Sequence, residues 1–357
     1  MRQDLLQWFD RHRRDLPWRR TRDPYAIWLS EVMLQQTRVE TVLPYYQRFL
    51  DRFPTVEDLA RAEIDEVLAL WSGLGYYRRA RQLHAAARQV AELGGFPRTA
   101  EGLLQLPGIG AYTAAAVASI AFGEAAPVLD GNVERVMARR LGMAEDPKGS
   151  AGRKKLLAAA AELLDPGRPG DSNQALMELG ATLCSPRRPK CLLCPLAGGC
   201  VAAAEGDPER YPMPRRRREP ERHRLVVAVV EEEGKVLLFR RPEESTLLAG
   251  TWELPWTEAA EAEPPEAALA SRYGGRWALG PAAAAVRHGI THRDLEIEVR
   301  RARLVAGDRV GEGLEAGWFD AQGRAALPLS SLVGKVLGAL AEAASPTARR
   351  RQSRRRR

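Results

Sequence analysis

Cysteine occurs four times in the 357 residues, at Cys184, Cys191, Cys194 and Cys200. A C-x6-C-x2-C-x5-C cluster in one short loop, in a chain whose first ten residues do not resemble a secretory signal, favours thiolate ligation of a metal centre over disulfides. Zinc and a [4Fe–4S] cluster both accept four thiolates. Structural zinc usually takes two close pairs, and only Cys191 and Cys194 form one here, so the spacing leans toward the iron–sulfur cluster. Arg187, Arg188 and Lys190 lie between the first two cysteines. A loop tied at both ends would present their charges to phosphates as a rigid unit.

The second candidate feature is backbone. In Leu106-Pro-Gly-Ile-Gly110 a tight turn separates two apolar helical patterns. Gly108 and Gly110 would let the chain approach a phosphate closely. The amides opening the next helix, expected over 112–122, would face it with the positive end of the helix dipole. A ligand-free interhelical turn would read the same way. Farther on, Val128-Leu-Asp-Gly-Asn-Val-Glu-Arg135 puts Asp130 at a turn that opens another helix. An aspartate there is commonly an N-cap. It also follows the hairpin by one helix of about 11 residues, roughly 16 Å, so it would set a carboxylate beside any bound backbone.

These groups need a scaffold. Alanine-rich amphipathic stretches at 55–71, 80–93 and 153–164, with Gly and Pro between them, predict a helical domain over residues 1–204. Pro and Arg displace apolar periodicity at 205–222, the mark of a linker. Residues 223–343 read as α+β: strand-like runs at 225–230, 235–239 and 295–299 accompany helical patterns at 265–273 and 332–343. Residues 344–357 form a basic tail expected to be disordered. The chain carries 54 Lys and Arg against 46 Asp and Glu, a net charge of +8. That excess permits a nucleic-acid partner, although part of it sits in the run Arg215–Arg218 and in the tail. No apolar run reaches the roughly 18 residues that span a bilayer. A cytoplasmic protein that does not engage membranes is expected.

Taken together, LPGIG, Asp130 and the cysteine loop resemble the helix–hairpin–helix, iron–sulfur DNA glycosylases, and more specifically the MutY-type adenine glycosylases. Their N-terminal signature is matched by Asp23-Pro-Tyr-Ala-Ile-Trp-Leu-Ser-Glu-Val-Met-Leu-Gln-Gln-Thr37, with further motifs at Trp71-Ser-Gly-Leu-Gly-Tyr-Tyr77 and Leu129-Asp-Gly-Asn-Val133. The resemblance covers the first 200 residues strongly. It implies a monomeric base-excision repair enzyme that flips adenine out of double-stranded DNA, where it faces 8-oxoguanine or guanine, and hydrolyses its N-glycosidic bond. Glu31 would be the acid toward adenine N7, its pKa raised by apolar neighbours such as Trp28, Val32 and Met33. Asp130 would stabilise the sugar cation or capture it as a covalent intermediate, and Tyr112 and Asn132 would orient sugar and carboxylates. Leu16, Trp18, Arg19 and Glu178 map onto the base pocket, Gln36 and Tyr76 onto wedges entering the stack. The alternative is a bifunctional endonuclease III-like glycosylase/lyase for oxidised pyrimidines. That type carries a lysine just after LPGxG, where this chain has Tyr112, which cannot form a Schiff base.

The later residues resemble the Nudix-fold domain that ends these enzymes. Gly250-Thr-Trp-Glu-Leu-Pro255 matches the start of the Nudix region, but no REUxEExGU helix follows, so nucleotide hydrolysis is not expected. Where the family often carries Phe-Ser-His to read 8-oxoguanine, this chain has Ile290-Thr291-His292. A branched aliphatic side chain replaces the aromatic wedge and a threonine hydroxyl replaces that of serine.

Overall fold

The computed structural model describes residues 1–147, 149–213, 219–259, 263–305, 310–311 and 313–344. The Arg215–Arg218 run and the tail beyond Ala344 lie outside the described residues. Contacts divide the chain into two units, residues 1–61 with 82–216 and residues 62–81 with 217–357. Among the described residues no helix is long and apolar enough to cross a membrane.

The first unit is helical. In chain order its helices are α1 (Arg2–His12), α2 (Pro24–Leu34), α3 (Val39–Arg52) and α4 (Val56–Arg61). Next is α5 (Ile64–Trp71), which belongs to the second unit, and α6 (Arg78–Glu92), which passes from one unit to the other. The series ends with α7 (Ala100–Leu103), α8 (Ala111–Phe122), α9 (Gly131–Leu141), α10 (Ser150–Ala161), α11 (Pro169–Thr182) and α12 (Val201–Ala204). The single amphipathic pattern expected over 55–71 is two helices. Glu63 is extended (φ −70°, ψ 139°), and the break falls where the chain passes from the first unit to the second.

Helices α2 and α8 are buried on nearly every side, which marks them as central. Every residue from Tyr25 to Met33 is buried, and so is every residue from Thr113 to Ile120. Small residues let neighbours approach: a Cβ on Gly170 of α11 would lie 2.6 Å from the Ser119 carbonyl oxygen of α8.

The second unit carries a mixed sheet of seven strands: β1 (Glu221–Glu232), β2 (Lys235–Arg240), β3 (Trp252–Glu253), β4 (Trp256–Glu258), β5 (Trp277–Ile290), β6 (Arg293–Leu304) and β7 (Ala316–Phe319). The main order is β3-β2-β1-β6-β5, with β4 beside β1 and β7 beside β2. Strands β1 and β6 run parallel, with Leu225 opposite Ile297; the other pairs are antiparallel. Residues 225–230 of β1 are all buried because both sheet faces are covered. Leu225, Val227 and Val229 join one core with α15 (Ser331–Ala344). Ala228 and Val230 join another with α13 (Pro265–Tyr273). Between these lies the short α14 (Ala321–Ala325). The α+β class expected from the alternating strand and helix patterns is the class observed.

Candidate active site

Asp23 caps α2 by accepting from the Tyr25 and Ala26 amides at 3.1 and 3.3 Å, and Pro24 occupies the first helical position. That start fixes the register of a helix bearing one carboxylate, Glu31, which is only 6% exposed. Burial raises its pKa to about 7; a hydrogen bond from Tyr112 pulls it down, nearby Asp130 pushes it up and Arg19 pulls it down. Tyr112, in the first turn of α8, donates to Glu31 Oε2 at 2.6 Å and sits 3.1 Å from Met177 Sδ. Burial likewise holds the Tyr112 hydroxyl well above the ordinary tyrosine range.

Glu31 opens onto a cavity of about 850 Å³ in the first unit, also lined by Tyr112, Asp130 and Asn132. The helix period puts Ile27 and Leu34 on the Glu31 face, and these two line the cavity. Trp28, Val32 and Met33, expected to surround the carboxyl, are buried in the same helix but are not part of the cavity wall.

Asp130 is both an N-cap and a cavity group. Its Oδ1 accepts from the Asn132 and Val133 amides at 3.0 and 2.7 Å, and its Oδ2 accepts from Asn132 Nδ2 at 3.0 Å. Burial raises its pKa, opposed by these three hydrogen bonds and by Arg135, all of which favour the anion. Two further side chains secure the turn. Arg135 donates to Asn132 Oδ1 at 2.9 Å, to the Gly180 carbonyl at 2.7 Å and to the Cys184 carbonyl at 2.8 Å. The fully buried Asn173 of α11 accepts from the Val128 amide at 3.1 Å and donates to the Ala126 carbonyl at 2.8 Å. Gly180 leaves room for Asn132, since a Cβ there would stand 2.6 Å from Asn132 Cβ.

The far wall is an ion network. Glu178 is fully buried and accepts from Arg14 Nε and Nη2 at 2.8 and 2.9 Å and from Arg19 Nη2 at 2.7 Å. Burial alone would raise its pKa, but the two guanidiniums override it and hold the carboxyl at about 2. Leu16 and Trp18 line the same cavity, Trp18 with its ring edge-on to Tyr46 at 5.2 Å. Gln36 reaches the cavity rim, exposed and left-handed at φ 57°. The structure thus gathers Glu31, Asp130, Tyr112, Asn132, Leu16, Trp18, Arg19, Glu178 and Gln36 around one space. Sequence reading missed Arg14, Arg135, Asn173 and Met177. Partners of this kind have no local motif, because the groups they meet lie far off in the chain.

The other candidates lie elsewhere. Gly108 is left-handed at φ 73°, and a Cβ there would strike Gln82 Cβ at 2.5 Å. Gly110 is the N-cap of α8 with no side-chain cap and nothing within 4 Å of where a Cβ would stand. The first amides of α8 are therefore approachable from outside. Tyr76 sits on a loop of the second unit, 47% exposed and left-handed at φ 51°. Thr291 and His292 form the exposed turn between β5 and β6, where the Thr291 hydroxyl donates to the Ile290 carbonyl at 2.7 Å. Ile290 packs against the α15-side core. Glu253, in the stretch matching the Nudix start, is paired with Arg241 at 2.7 Å and Arg272 at 3.6 Å.

Cys184, Cys191, Cys194 and Cys200 all line one cavity of about 30 Å³ with apolar walls. Arg139 of α9, 2% exposed, donates to the Ser185 and Pro186 carbonyls at 2.7 and 2.9 Å and approaches Cys184 Sγ at 3.4 Å. Burial pushes Cys194 up to about 11, so a thiolate there needs a cation. Four thiols around one apolar space, with a buried guanidinium beside them, fit an anionic thiolate-ligated centre. Among the described residues no three His, Cys, Asp or Glu side chains are arranged to hold a single metal ion. Arg187, Arg188 and Lys190 are exposed on this loop, and the Arg188 amide donates to Glu209 at 2.7 Å.

Comparison with known proteins agrees with this architecture. Residues 29–162 match the HhH-GPD superfamily base excision DNA repair protein family, and residues 225–339 match the NUDIX domain family. The chain is 35% identical over 318 residues to the adenine DNA glycosylase of Schizosaccharomyces pombe, covering 72% of this chain and 69% of that one. It is 43% identical over 310 residues to the adenine DNA glycosylase of Homo sapiens, covering 71% and 57%. Among solved structures, a thermostable thymine-DNA glycosylase superposes with a TM-score of 0.53 at 35% identity, covering 57% of this chain and 95% of that one. A helical unit whose hairpin helix and capped aspartate share one cavity is thus the architecture of the HhH-GPD base excision repair superfamily. The chain belongs to that superfamily and, within it, to the adenine DNA glycosylase family. It spans 57% and 60% of the lengths of the human and rat relatives.

Proposed function

We propose that this chain is a monofunctional DNA glycosylase of base excision repair that hydrolyses the N-glycosidic bond of adenine mispaired with 8-oxoguanine or guanine. The observation that carries the reading is Glu31, raised to about 7, facing the same cavity as the hydrogen-bonded Asp130. Glycosidic hydrolysis needs an acid for a poor leaving group and a negative charge beside an oxocarbenium-like sugar. Glu31 keeps its proton near neutral pH and delivers it to adenine N7, so the base leaves neutral; the resulting carboxylate then takes a proton from the attacking water. Asp130, favoured as an anion by three hydrogen bonds, stabilises the sugar cation. Asn132 holds Asp130 Oδ2, and Tyr112 holds Glu31.

The adenine must leave the stack to reach these groups, at a cost of a few kcal/mol. Gln36 and Tyr76, both exposed and left-handed, are the wedges that offset it. Leu16, Trp18, Arg19 and Glu178 receive the base, with Arg14 completing the ion network. The hairpin at Gly108 and Gly110 offers α8 amides to a backbone phosphate. Cys184, Cys191, Cys194 and Cys200 would hold a [4Fe–4S] cluster, which would tie down the loop that presents Arg187, Arg188 and Lys190 to phosphates. The C-x6-C-x2-C-x5-C spacing, with one close pair rather than two, favours a cluster over zinc, and metal analysis finding iron rather than zinc would bear that out. Ile290, Thr291 and His292 read the opposite 8-oxoguanine. The enzyme works as a cytoplasmic monomer on duplex DNA.

Tyr112 favours this reading over a glycosylase/lyase, because a phenol cannot form the Schiff base that β-elimination requires. The test is single-turnover excision on duplexes carrying adenine opposite 8-oxoguanine, guanine or thymine, with borohydride trapping alongside. Fastest adenine release opposite 8-oxoguanine, without a trapped adduct, is expected. Release of a pyrimidine, or a covalent adduct, would overturn the assignment.

A further inference from the structure

The loop that carries Tyr76 is fastened to the second unit by its neighbours on either side. Ser72 Oγ donates to the Leu329 carbonyl at 3.1 Å, and the Tyr77 hydroxyl donates to that same carbonyl, the two hydroxyls lying 3.3 Å apart. Two ion pairs flank them, Asp65 with Arg240 at 2.6 Å and Arg81 with Glu243 at 2.6 Å. Inside the loop, Gly73 and Gly75 are left-handed at φ 99° and 73°, which brings Tyr76 round with its ring outward. Arg79 donates to the Leu74 and Gly75 carbonyls and lies over the Trp71 and Tyr76 rings at 5.3 and 5.5 Å. A left-handed tyrosine persists only where its surroundings over-determine it.

Leu329 is not an isolated anchor. It bridges to Trp252, whose amide donates to the Pro328 carbonyl at 2.9 Å. Trp252, Leu329 and Ile290 all belong to the core on the α15 face of the sheet. The loop of Tyr76 and the 290–292 turn therefore rest on one packed body.

We propose that Ser72 and Tyr77 are positioning residues that set the Tyr76 loop on the Leu329 carbonyl, coupling insertion of Tyr76 to the opposite base read at the 290–292 turn. The proposal rests on the function given above. Its consequence is specificity: loosening the loop weakens excision opposite 8-oxoguanine more than opposite guanine, because only the former uses the turn to its full extent.

The test uses the full chain with Ser72→Ala and Tyr77→Phe combined. The 8-oxoguanine-to-guanine ratio of single-turnover adenine excision should fall about five- to tenfold, the scale of one or two lost hydrogen bonds. Tyr25→Phe is the control, removing a similar buried hydroxyl that donates to the Phe53 carbonyl at 2.9 Å in the first unit. It should lower Tm without moving the ratio. An unchanged ratio in the double variant, or an equal fall in Tyr25→Phe, overturns the coupling. Wild-type protein that releases no adenine opposite either base sinks the functional reading instead. The fastening is then read without DNA, by hydrogen exchange of amides 72–77, which the double variant must accelerate; unchanged exchange overturns it.

Discussion

The Tyr112 hydroxyl donates to Glu31 Oε2 across 2.6 Å, joining residues 81 positions apart in the chain. A donor of this kind favours the ionised carboxylate, so it lowers a pKa that burial has raised to about 7. On the proposed function, excision should accordingly fall as pH rises through about 7, where Glu31 would lose the proton assigned to adenine. Tyr112→Phe removes the donor and should move that alkaline limb to higher pH, with a slower plateau. Single-turnover rates between pH 5 and 9 measure both, and an unmoved limb would remove the pairing from the mechanism.

The same carboxyl makes folding stability depend on pH. Its folded pKa lies above the value of an exposed glutamate, so the folded chain binds the proton more tightly. The associated stabilisation is fully present below the unfolded pKa of about 4.3 and is lost as pH rises through about 7. Glu31→Gln abolishes that dependence. The variant should be more stable than wild type at pH 8 by on the order of 2 kcal/mol, after allowing for a weakened bond to Tyr112. At pH 5 the difference should nearly vanish. Denaturant melts at the two pH values decide it.

Asp130→Asn separates the cap from the charge. Asparagine caps helices about as well as aspartate, so α9 and its Asn132 and Val133 amide bonds should survive, with a stability change within about 1 kcal/mol. The negative charge proposed to face the sugar is lost, and on that proposal excision should fall by a factor on the order of a thousand while duplex binding persists. Near wild-type excision would leave Asp130 as a cap and nothing else.

Sequence patterns reached those parts of the molecule whose cause is local. The run 225–230 is apolar because both faces of β1 are covered, so it reads as a strand before any partner is known. Asp130 announces its cap by standing one residue before α9. Glu31 was legible only through the motif around it, since nothing local distinguishes a buried glutamate from a solvated one. Arg14, Arg135 and Asn173 were not legible: their partners Glu178, Cys184 and Ala126 lie tens of residues away, and side chains that satisfy distant carbonyls leave no spacing rule. The long β5, with its irregular pairing around Leu279, Ala282 and Ala284, also escaped, because register shifts break the alternation that marks a strand.

Gly180 gives the most direct test of how closely the Asp130 turn is set. It lies inside α11, where alanine would ordinarily be preferred by up to about 1 kcal/mol. Here the added Cβ would stand 2.6 Å from Asn132 Cβ and 3.0 Å from the Asn132 carbonyl oxygen, so backbone of the first turn of α9 must move. Gly180 also offers its carbonyl to Arg135 at 2.7 Å, which fastens Asn132 from the other side. Gly180→Ala should therefore lower Tm and slow excision on the order of a hundredfold, the penalty for misplacing a reacting group by about 1 Å. Gly338→Ala in α15, with nothing within 4 Å of its Cβ, should instead raise stability by about 0.5–1 kcal/mol and leave excision alone. If the two substitutions behave alike in melting and in single-turnover excision, crowding against Asn132 does not hold Asp130 in place, and the caps and Arg135 must do so unaided.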